Sequence, residues 1–573
     1  MRHVRPSGFA LLSIGLLLAG MAGGCAPRVE PADLVLTNGK IVTVDDATPE
    51  AQALAVRGDT VVAVGAVADI KPYIGSTTAV IDLAGRLATP GLIDSHVHFT
   101  GIGSNRLELD LMDVTSWNEL VARVAEAVKT AKPGALISGR GWHQAKWTAV
   151  PEPNVEGFPV HDALSRVSPD NPVVLRHASG HATLANAKAM EMAGITRKTP
   201  DPPGGDMLKD AKGNPIGIFR ETASRLLAPM RAKLPPVTPE EQEARARKEI
   251  ELAAEECLRN GITSVHDAGA GLETIDRYKK MIDEGRLPVR IYAMLSVGND
   301  TLAKDAAGLK LVDYGQRHLT VRSIKRLIDG ALGPRGAWLL EPYSDMPSAS
   351  GHNTEDVEAI AETARLAIEN GFQLNIHAIG DRANRETLDI YEAAFKAHPG
   401  AKDVRWRIEH AQHITAPDIP RFGTLGVIAS MQAIHCTSDG PYVLERLGPA
   451  RAAEGAYVWR KLMAGGAVVA NGTDAPVEYV ASMPGFHAFV TRKMKNGEAF
   501  YPDQKLTRAE ALKAYTINGA FAAFEEHIKG SLAPGKLADI AVFSKDIMTI
   551  PEEEILAAEA VYTIVGGKVA YKK

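Results

Sequence analysis

From about residue 89 to residue 534, short apolar runs alternate with amphipathic stretches. Eight of the runs have strand length, at about 92–98, 262–267, 289–295, 321–328, 373–377, 405–410, 426–431 and 467–473. Helical stretches separate most of them. One is sharply bounded: Thr238 is an N-cap, Pro239 sits in the first turn, Glu241 completes a capping box, and Gly261 closes the helix. Alternating strand and helix predicts a parallel sheet, and eight such units predict an α/β fold of the (β/α)8 TIM-barrel type.

The pattern breaks in three places. Residues 33–44 read as two short strands, joined at Asn38-Gly39 as a hairpin. Leu537–Phe543 reads as a strand and Val561–Ala570 as a hairpin around Gly566-Gly567. β-rich ends around an α/β middle predict a small β-sandwich built from residues 33–88 and 535–573, beside a barrel of 89–534. Within the barrel, about 130–235 is proline-rich and has its own strand-like runs at Leu136–Gly139 and Pro172–Arg176. It reads as a subdomain inserted after the first barrel strand, over the mouth of the barrel.

Composition narrows the chemistry. The 573 residues are 45% hydrophobic and 23% charged, an ordinary globular balance. Acidic residues outnumber basic ones 69 to 64, for a net charge of −5, and there is no dense basic tract. A nucleic-acid partner is therefore not expected. The three cysteines, Cys25, Cys257 and Cys436, form no CxxC pair, so any metal must be held by histidine and carboxylate. Cys257 falls near a helix end and reads as a small buried apolar residue. The first 25 residues read as an address: Arg2, His3 and Arg5 precede the apolar run Phe9–Ala19, and Ala22-Gly23-Gly24-Cys25 resembles a lipoprotein lipobox. The run is shorter than the ~20 residues needed to cross a bilayer. This predicts an exported periplasmic or cell-envelope lipoprotein, in contact with the membrane only through a lipid on Cys25. A plain secretory signal is the alternative.

The candidate chemistry sits at strand ends. In Pro90-Gly91-Leu92-Ile93-Asp94-Ser95-His96-Val97-His98, the two histidines are two apart. A strand points both to one face, where they can share a metal ion or pair under a loop. His377, His410 and Asp474 end three further predicted strands. A closed barrel brings such C-terminal ends together, so the agreement of four strands outweighs any one motif. Lys325 lies in the fourth predicted strand, where a free ammonium would repel a metal and a snorkelling or ion-paired lysine is the plain alternative. Trp142, His181 and His435 are candidate substrate-binding residues; loop histidines with solvent or backbone partners are the alternative. His266-Asp267 ends the second predicted strand, as support for a ligand or as core polar contacts. Arg382 and Arg385 fall on a helix-like stretch after His377.

The runs PGLIDSHVH, GRGWHQAKW, SIKRLIDGALGPRGA, LNIHAIGDRA, RIEHAQH, GTDAPVE and PGKLADIAV occur in that order, within a match that runs from about residue 33 to the C-terminus and includes the inserted segment. In these the sequence resembles the amidohydrolase superfamily, in its amidohydrolase-3 (YtcJ-like) branch. The resemblance implies a (β/α)8 barrel beside a small β-sandwich. It implies a divalent-metal centre, with His96, His98 and Asp474 on one ion and His377 and His410 on a second. Lys325 would bridge two zinc ions when carboxylated, although single-metal members exist. The implied function is hydrolysis of a C–N (amide-type) bond of a small molecule, other than a peptide bond, by attack of a metal-bound hydroxide. Asp474 would be the catalytic acid–base. A deaminase or cyclic-amide hydrolase on the same scaffold is an alternative, and so is a catalytically silent small-molecule-binding lipoprotein. A homo-oligomer is compatible with all of these.

Overall fold

The computed structural model describes residues 29–573; the expected leader and Cys25 lie outside the described residues. Eight strands form the centre: β1 (Leu92–Val97), β2 (Ile262–Ala270), β3 (Arg290–Leu295), β4 (Leu319–Leu327), β5 (Gln373–Ala378), β6 (Arg407–His410), β7 (Ile428–Met431) and β8 (Val469–Asn471). They pair in chain order, and every ladder among them is parallel. β1, β3, β5, β6, β7 and β8 are buried along their whole length. A parallel sheet covered on both faces requires this, and it explains why these runs read as continuous apolar text rather than as alternation.

Two backbone hydrogen bonds close the ring between β1 and the segment after β8: Asp474 N–H to the His96 carbonyl and His98 N–H to the Ala475 carbonyl, each 2.8 Å. Gly472 permits that approach. A Cβ there would lie 2.5 Å from the His96 nitrogen and 2.8 Å from the His96 Cβ.

The helix Pro239–Arg259 carries the expected box, with Thr238 N–H bonded to the Glu241 carboxylate at 2.9 Å and Glu241 N–H to the Thr238 hydroxyl at 3.2 Å. Its inner face, including Cys257, packs into the barrel core. Among the described residues, no helix is long and apolar enough to cross a membrane.

The chain ends build two sheets. One orders Thr60–Gly65, Ala53–Arg57, Leu34–Thr37 and Ala79–Asp82; the other orders Lys568–Lys572, Ala560–Val565, Ile540–Phe543, Leu87–Pro90, Lys40–Val42 and Glu50–Ala51. Leu36, Leu54, Val56, Ile540, Val542 and Ile564 belong to the core they share. The expected hairpin at 33–44 does not form. Leu34–Thr37 pairs with Ala53–Arg57 and Ala79–Asp82, whereas Lys40–Val42 pairs in the other sheet. Asn38, at φ 57°, turns the chain from one sheet to the other. The C-terminal hairpin does form, with Gly566 and Gly567 at φ 54° and 74°, the backbone an I′ turn requires.

The inserted stretch, with residues from about 109 that precede the expected start at 130, builds a sheet of six strands ordered Met207–Lys209, Pro215–Arg220, Ala182–Ala185, Val173–His177, Ile137–Trp142 and Leu109–Asp110. It has its own apolar core around Leu120, Trp142, Phe158, Leu175 and Ile218.

Candidate metal centre

The C-terminal ends of β1, β5 and β6 and the turn after β8 converge. Ring or carboxylate donors of His96, His410 and Asp474 all lie within 4.8 Å of one another, and all three residues are buried. His98 Nε2 is 3.3 Å from Asp474 Oδ1, and His96 Nε2 is 3.5 Å from the same oxygen. The rings of His377 and His410 are 4.4 Å apart. The structure thus groups the residues expected on two separate ions into one cluster, with His410 beside His96 and Asp474.

Backbone conformation helps aim these groups. His410 and Asp474 adopt φ 75° and 57°. For a residue other than glycine such a conformation costs about 1–3 kcal/mol and persists where surrounding contacts enforce it. At Asp474 the enforcing contacts are visible: its N–H is held by the His96 carbonyl. The neighbouring Thr473 gives its N–H and hydroxyl to the Asp94 carboxylate at 2.9 and 2.6 Å. Burial pushes Asp94 up to about 7 despite these bonds.

Each imidazole is fixed by its far nitrogen. His96 Nδ1 bonds the Glu409 carboxylate, and His410 Nδ1 bonds the Gln432 amide oxygen at 2.6 Å. Burial holds His96 down at about 4 and His377 and His410 well below the ordinary histidine range. They are therefore neutral at pH 7, the form that donates a lone pair to a cation. Burial alone would raise Asp474, but the imidazoles around it, His98 first, hold it well below the carboxylate range. It is an anion. Among the described residues, His96 Nε2, His377 Nε2 and Asp474 Oδ1 are buried with no hydrogen-bond partner. Buried polar atoms are nearly always paired, and these three are metal-donor types at one place. The donor set fits a divalent cation.

Sequence reasoning missed Glu409, Arg407 and Asp329 as supports and offered only the His266-Asp267 pair. Glu409 is fully buried between His96 and Arg407, whose Nε is 2.7 Å away. Arg407 in turn meets His266 Nδ1 at 3.0 Å and the Ser95 carbonyl at 2.6 Å. Asp267 accepts from Tyr278 Oη and from Phe99 N–H, so the His266-Asp267 pair supports the strand ends. Asp329, just after β4, accepts the N–H groups of Trp338, Ile379 and Gly380 and lies 3.6 Å from His377 Nε2. The Arg-x-Glu spacing in β6 was a signal, because residues two apart in a strand share a face.

A cavity of about 550 Å³ opens over the cluster. Lys325 is buried in its wall, and burial pulls its ammonium below the usual lysine range. His181 lines the cavity with Nδ1 on Glu221 at 2.6 Å, and His435 lines it with Nε2 3.9 Å from Asp474. Trp142 does not line it. It is fully buried in the inserted core, donates Nε1–H to the Leu175 carbonyl at 3.1 Å, and stacks edge-on with Phe158 and His177. The expectation that Trp142 meets substrate is corrected: strand Ile137–Trp142 turns that side chain inward. Arg385 is bound to Asp418 and Thr415, and Arg382 lies over the Trp338 ring.

A parallel eight-stranded barrel with neutral histidines and an aspartate at its strand ends defines a metal-dependent hydrolase. The chain belongs to the Amidohydrolase family, whose pattern it matches over residues 79–571, and it is an enzyme that hydrolyses carbon–nitrogen bonds. It is 33% identical to the protein LONG AFTER FAR-RED 3 of Arabidopsis thaliana over 94% of this chain and 92% of that one. It is 31% identical to the putative amidohydrolase YtcJ of Bacillus subtilis over 93% and 98%, and 24% identical to N-substituted formamide deformylase of Arthrobacter pascens over 94% and 98%. An uncharacterized metal-dependent hydrolase of Pyrococcus horikoshii superposes with a TM-score of 0.70 at 27% identity, covering 91% of this chain and 99% of that one.

Proposed function

We propose that the protein hydrolyses the amide bond of small N-acyl or N-formyl compounds at a centre of two zinc ions. The observation that carries this reading is the convergence of His96, His410 and Asp474 donors within 4.8 Å. His96, His98 and Asp474 would hold one ion, and His377 and His410 the second. Lys325 would bridge them as a carbamate, formed when its neutral amine adds carbon dioxide and releases a proton; its burial favours the neutral amine. When bound, the metal supplies a water that ionises near pH 7 and a Lewis acid for the substrate carbonyl.

The chain's own groups do the rest. Asp474 takes a proton on its carboxylate and returns it to the departing nitrogen, so that the amine leaves uncharged. His181, its ring fixed by Glu221, presents its other nitrogen to the cavity, where it stabilises the oxygen of the carbonyl carbon as that carbon becomes tetrahedral. The formamide deformylase relative favours N-substituted formamides as the first substrates to try. We propose also that the enzyme is exported and lipidated at Cys25; fatty-acid labelling that is lost in Cys25→Ala checks this.

The test is a hydrolysis screen over formamides, N-acyl amino acids, aryl amides and cyclic amides. Activity should vanish with chelator, return with added zinc, and fall ~10²-fold or more in Asp474→Asn. Full turnover by metal-free protein would overturn the reading.

A further inference from the structure

The inserted subdomain contributes Arg140, Arg176 and Arg225 to the cavity wall; Arg225 faces the Glu355 charge, whereas among the described residues Arg140 and Arg176 form no ion pair with a carboxylate. Arg140 and Arg176 are matched in register on the adjacent parallel strands Ile137–Trp142 and Val173–His177, and both line the cavity. Like charges opposite one another on paired strands are destabilising, so this arrangement costs stability.

Arg140 is only 8% exposed. Its Nε donates to the Pro476 carbonyl at 3.3 Å and its Nη2 to the Ala178 carbonyl at 2.9 Å, both uncharged partners. Burial and the Arg176 charge pull Arg140 down to about 10, still a cation at neutral pH. Arg176 is exposed, and among the described residues its guanidinium has no hydrogen-bond or ion-pair partner. The carboxylates of the same cavity are engaged instead. Glu221 meets His181 at 2.6 Å, Asp439 meets Lys146 at 3.4 Å, and Glu355 meets Arg326 at 3.7 Å. Pro476, which Arg140 holds, is two residues beyond Asp474, and Asp474 is among the charges Arg140 feels. Both guanidiniums therefore line the cavity that opens over the metal-type cluster, with Arg140 tied to the segment that carries Asp474.

We propose that Arg140 and Arg176 form an anion subsite that holds the carboxylate of the substrate, so that the enzyme's substrates are small amides bearing a free carboxylate near the scissile bond. Guanidinium forks match carboxylate geometry and give charge-assisted, bidentate hydrogen bonds. The inference rests on the hydrolase reading above and narrows its substrate class.

Two matched pairs test it on the zinc-loaded enzyme. An N-acetyl amino acid against its primary amide places the carboxylate on the amine side; an N-aryl succinamic acid against its primary amide places it on the acyl side. The acid of at least one pair should be preferred ~10-fold or more in kcat/KM. Arg140→Gln and Arg176→Gln should each erase most of that preference through KM, because a charged hydrogen bond is worth about 10- to 100-fold. The pair that shows the preference identifies the side. Turnover without preference for the acid, or a preference that survives both variants, overturns the subsite and leaves the hydrolase reading standing.

If no amide is cleaved, the hydrolase reading fails and the subsite is read directly. Benzenesulfonate, an anion that ligates metals weakly, should bind the zinc-loaded protein in calorimetry and lose ~10-fold or more in affinity in Arg176→Gln. No binding, or equal binding, overturns it. Arg140→Gln removes two structural hydrogen bonds, so the exposed Arg176 carries the test if that variant does not fold.

Discussion

His96 owes its usable lone pair to a residue on another strand. Glu409 bonds its Nδ1, Arg407 pairs with the other Glu409 oxygen, and all three side chains are fully buried. Burial alone would raise Glu409, but Arg407 and His96 hold it well below the carboxylate range, so it orients the ring as an anion. Such partners typically contribute 10- to 100-fold to metal affinity. Glu409→Gln should weaken zinc binding by about that factor in competition with a chromophoric chelator; unchanged affinity would mean that the contact orients nothing. The histidines and Asp474 were legible in the sequence because a metal-donor type at a strand end stands out against apolar text. Glu409 was overlooked, because beside His410 it reads as one more polar residue at a strand's end unless its spacing from Arg407 is noticed. Trp142 misled for the opposite reason: an aromatic residue in a motif looks the same whether it fills a core or a pocket. Arg382 and Arg385 drew notice by their nearness to His377, yet the arginines that face the cavity are Arg140 and Arg176 on the inserted strands and Arg225 just after them, whose orientation no period announced.

Among elements, the closure between β1 and the turn after β8 does most to bring the donors together. Gly472 has no room for a side chain, because a Cβ would press on His96 itself. Gly472→Ala should therefore separate the two strand ends, lowering the melting temperature and the zinc content together. A variant with normal stability and full zinc would show that closure is not needed for the site. The barrel strands were readable from burial on both faces, and the helix Pro239–Arg259 from its caps. The 33–44 segment was not, because an Asn-Gly pair can fold a hairpin or, with only Asn38 at positive φ, carry the chain from one sheet to another, and only the neighbouring strands decide.

Across the whole molecule, the sandwich and barrel are tied by a buried ion pair. Arg290, at the start of β3, gives Nε and Nη2 to the two oxygens of Asp539 at 2.7 and 3.0 Å, and Gly566 N–H adds a third bond at 2.8 Å. This gives a structural reason for the aspartate in PGKLADIAV. Removing one partner of a buried pair costs about 3–5 kcal/mol, so Asp539→Asn should lower unfolding stability by that order in urea at pH 7. Burial would raise the Asp539 carboxyl, but Arg290 and the hydrogen bonds bring it below its ordinary value. The stabilisation is thus complete above the unfolded value of about 3.9 and is lost as pH falls through the lower, folded one. The gap between wild type and variant should be full at pH 5 to 7 and shrink only in stronger acid. A gap independent of pH down to acid unfolding would contradict the ionised pair.

The central claim, that side chains from separate barrel strands share one cation, is tested most directly by diffraction from crystals of the zinc-loaded protein, recorded above and below the zinc absorption edge. The account predicts one anomalous peak about 2.0–2.2 Å from His96 Nε2 and an Asp474 carboxylate oxygen, and a second at that distance from ring nitrogens of His377 and His410. Stoichiometric zinc in the sample with its peak elsewhere, or with those side chains turned away from it, would contradict the account.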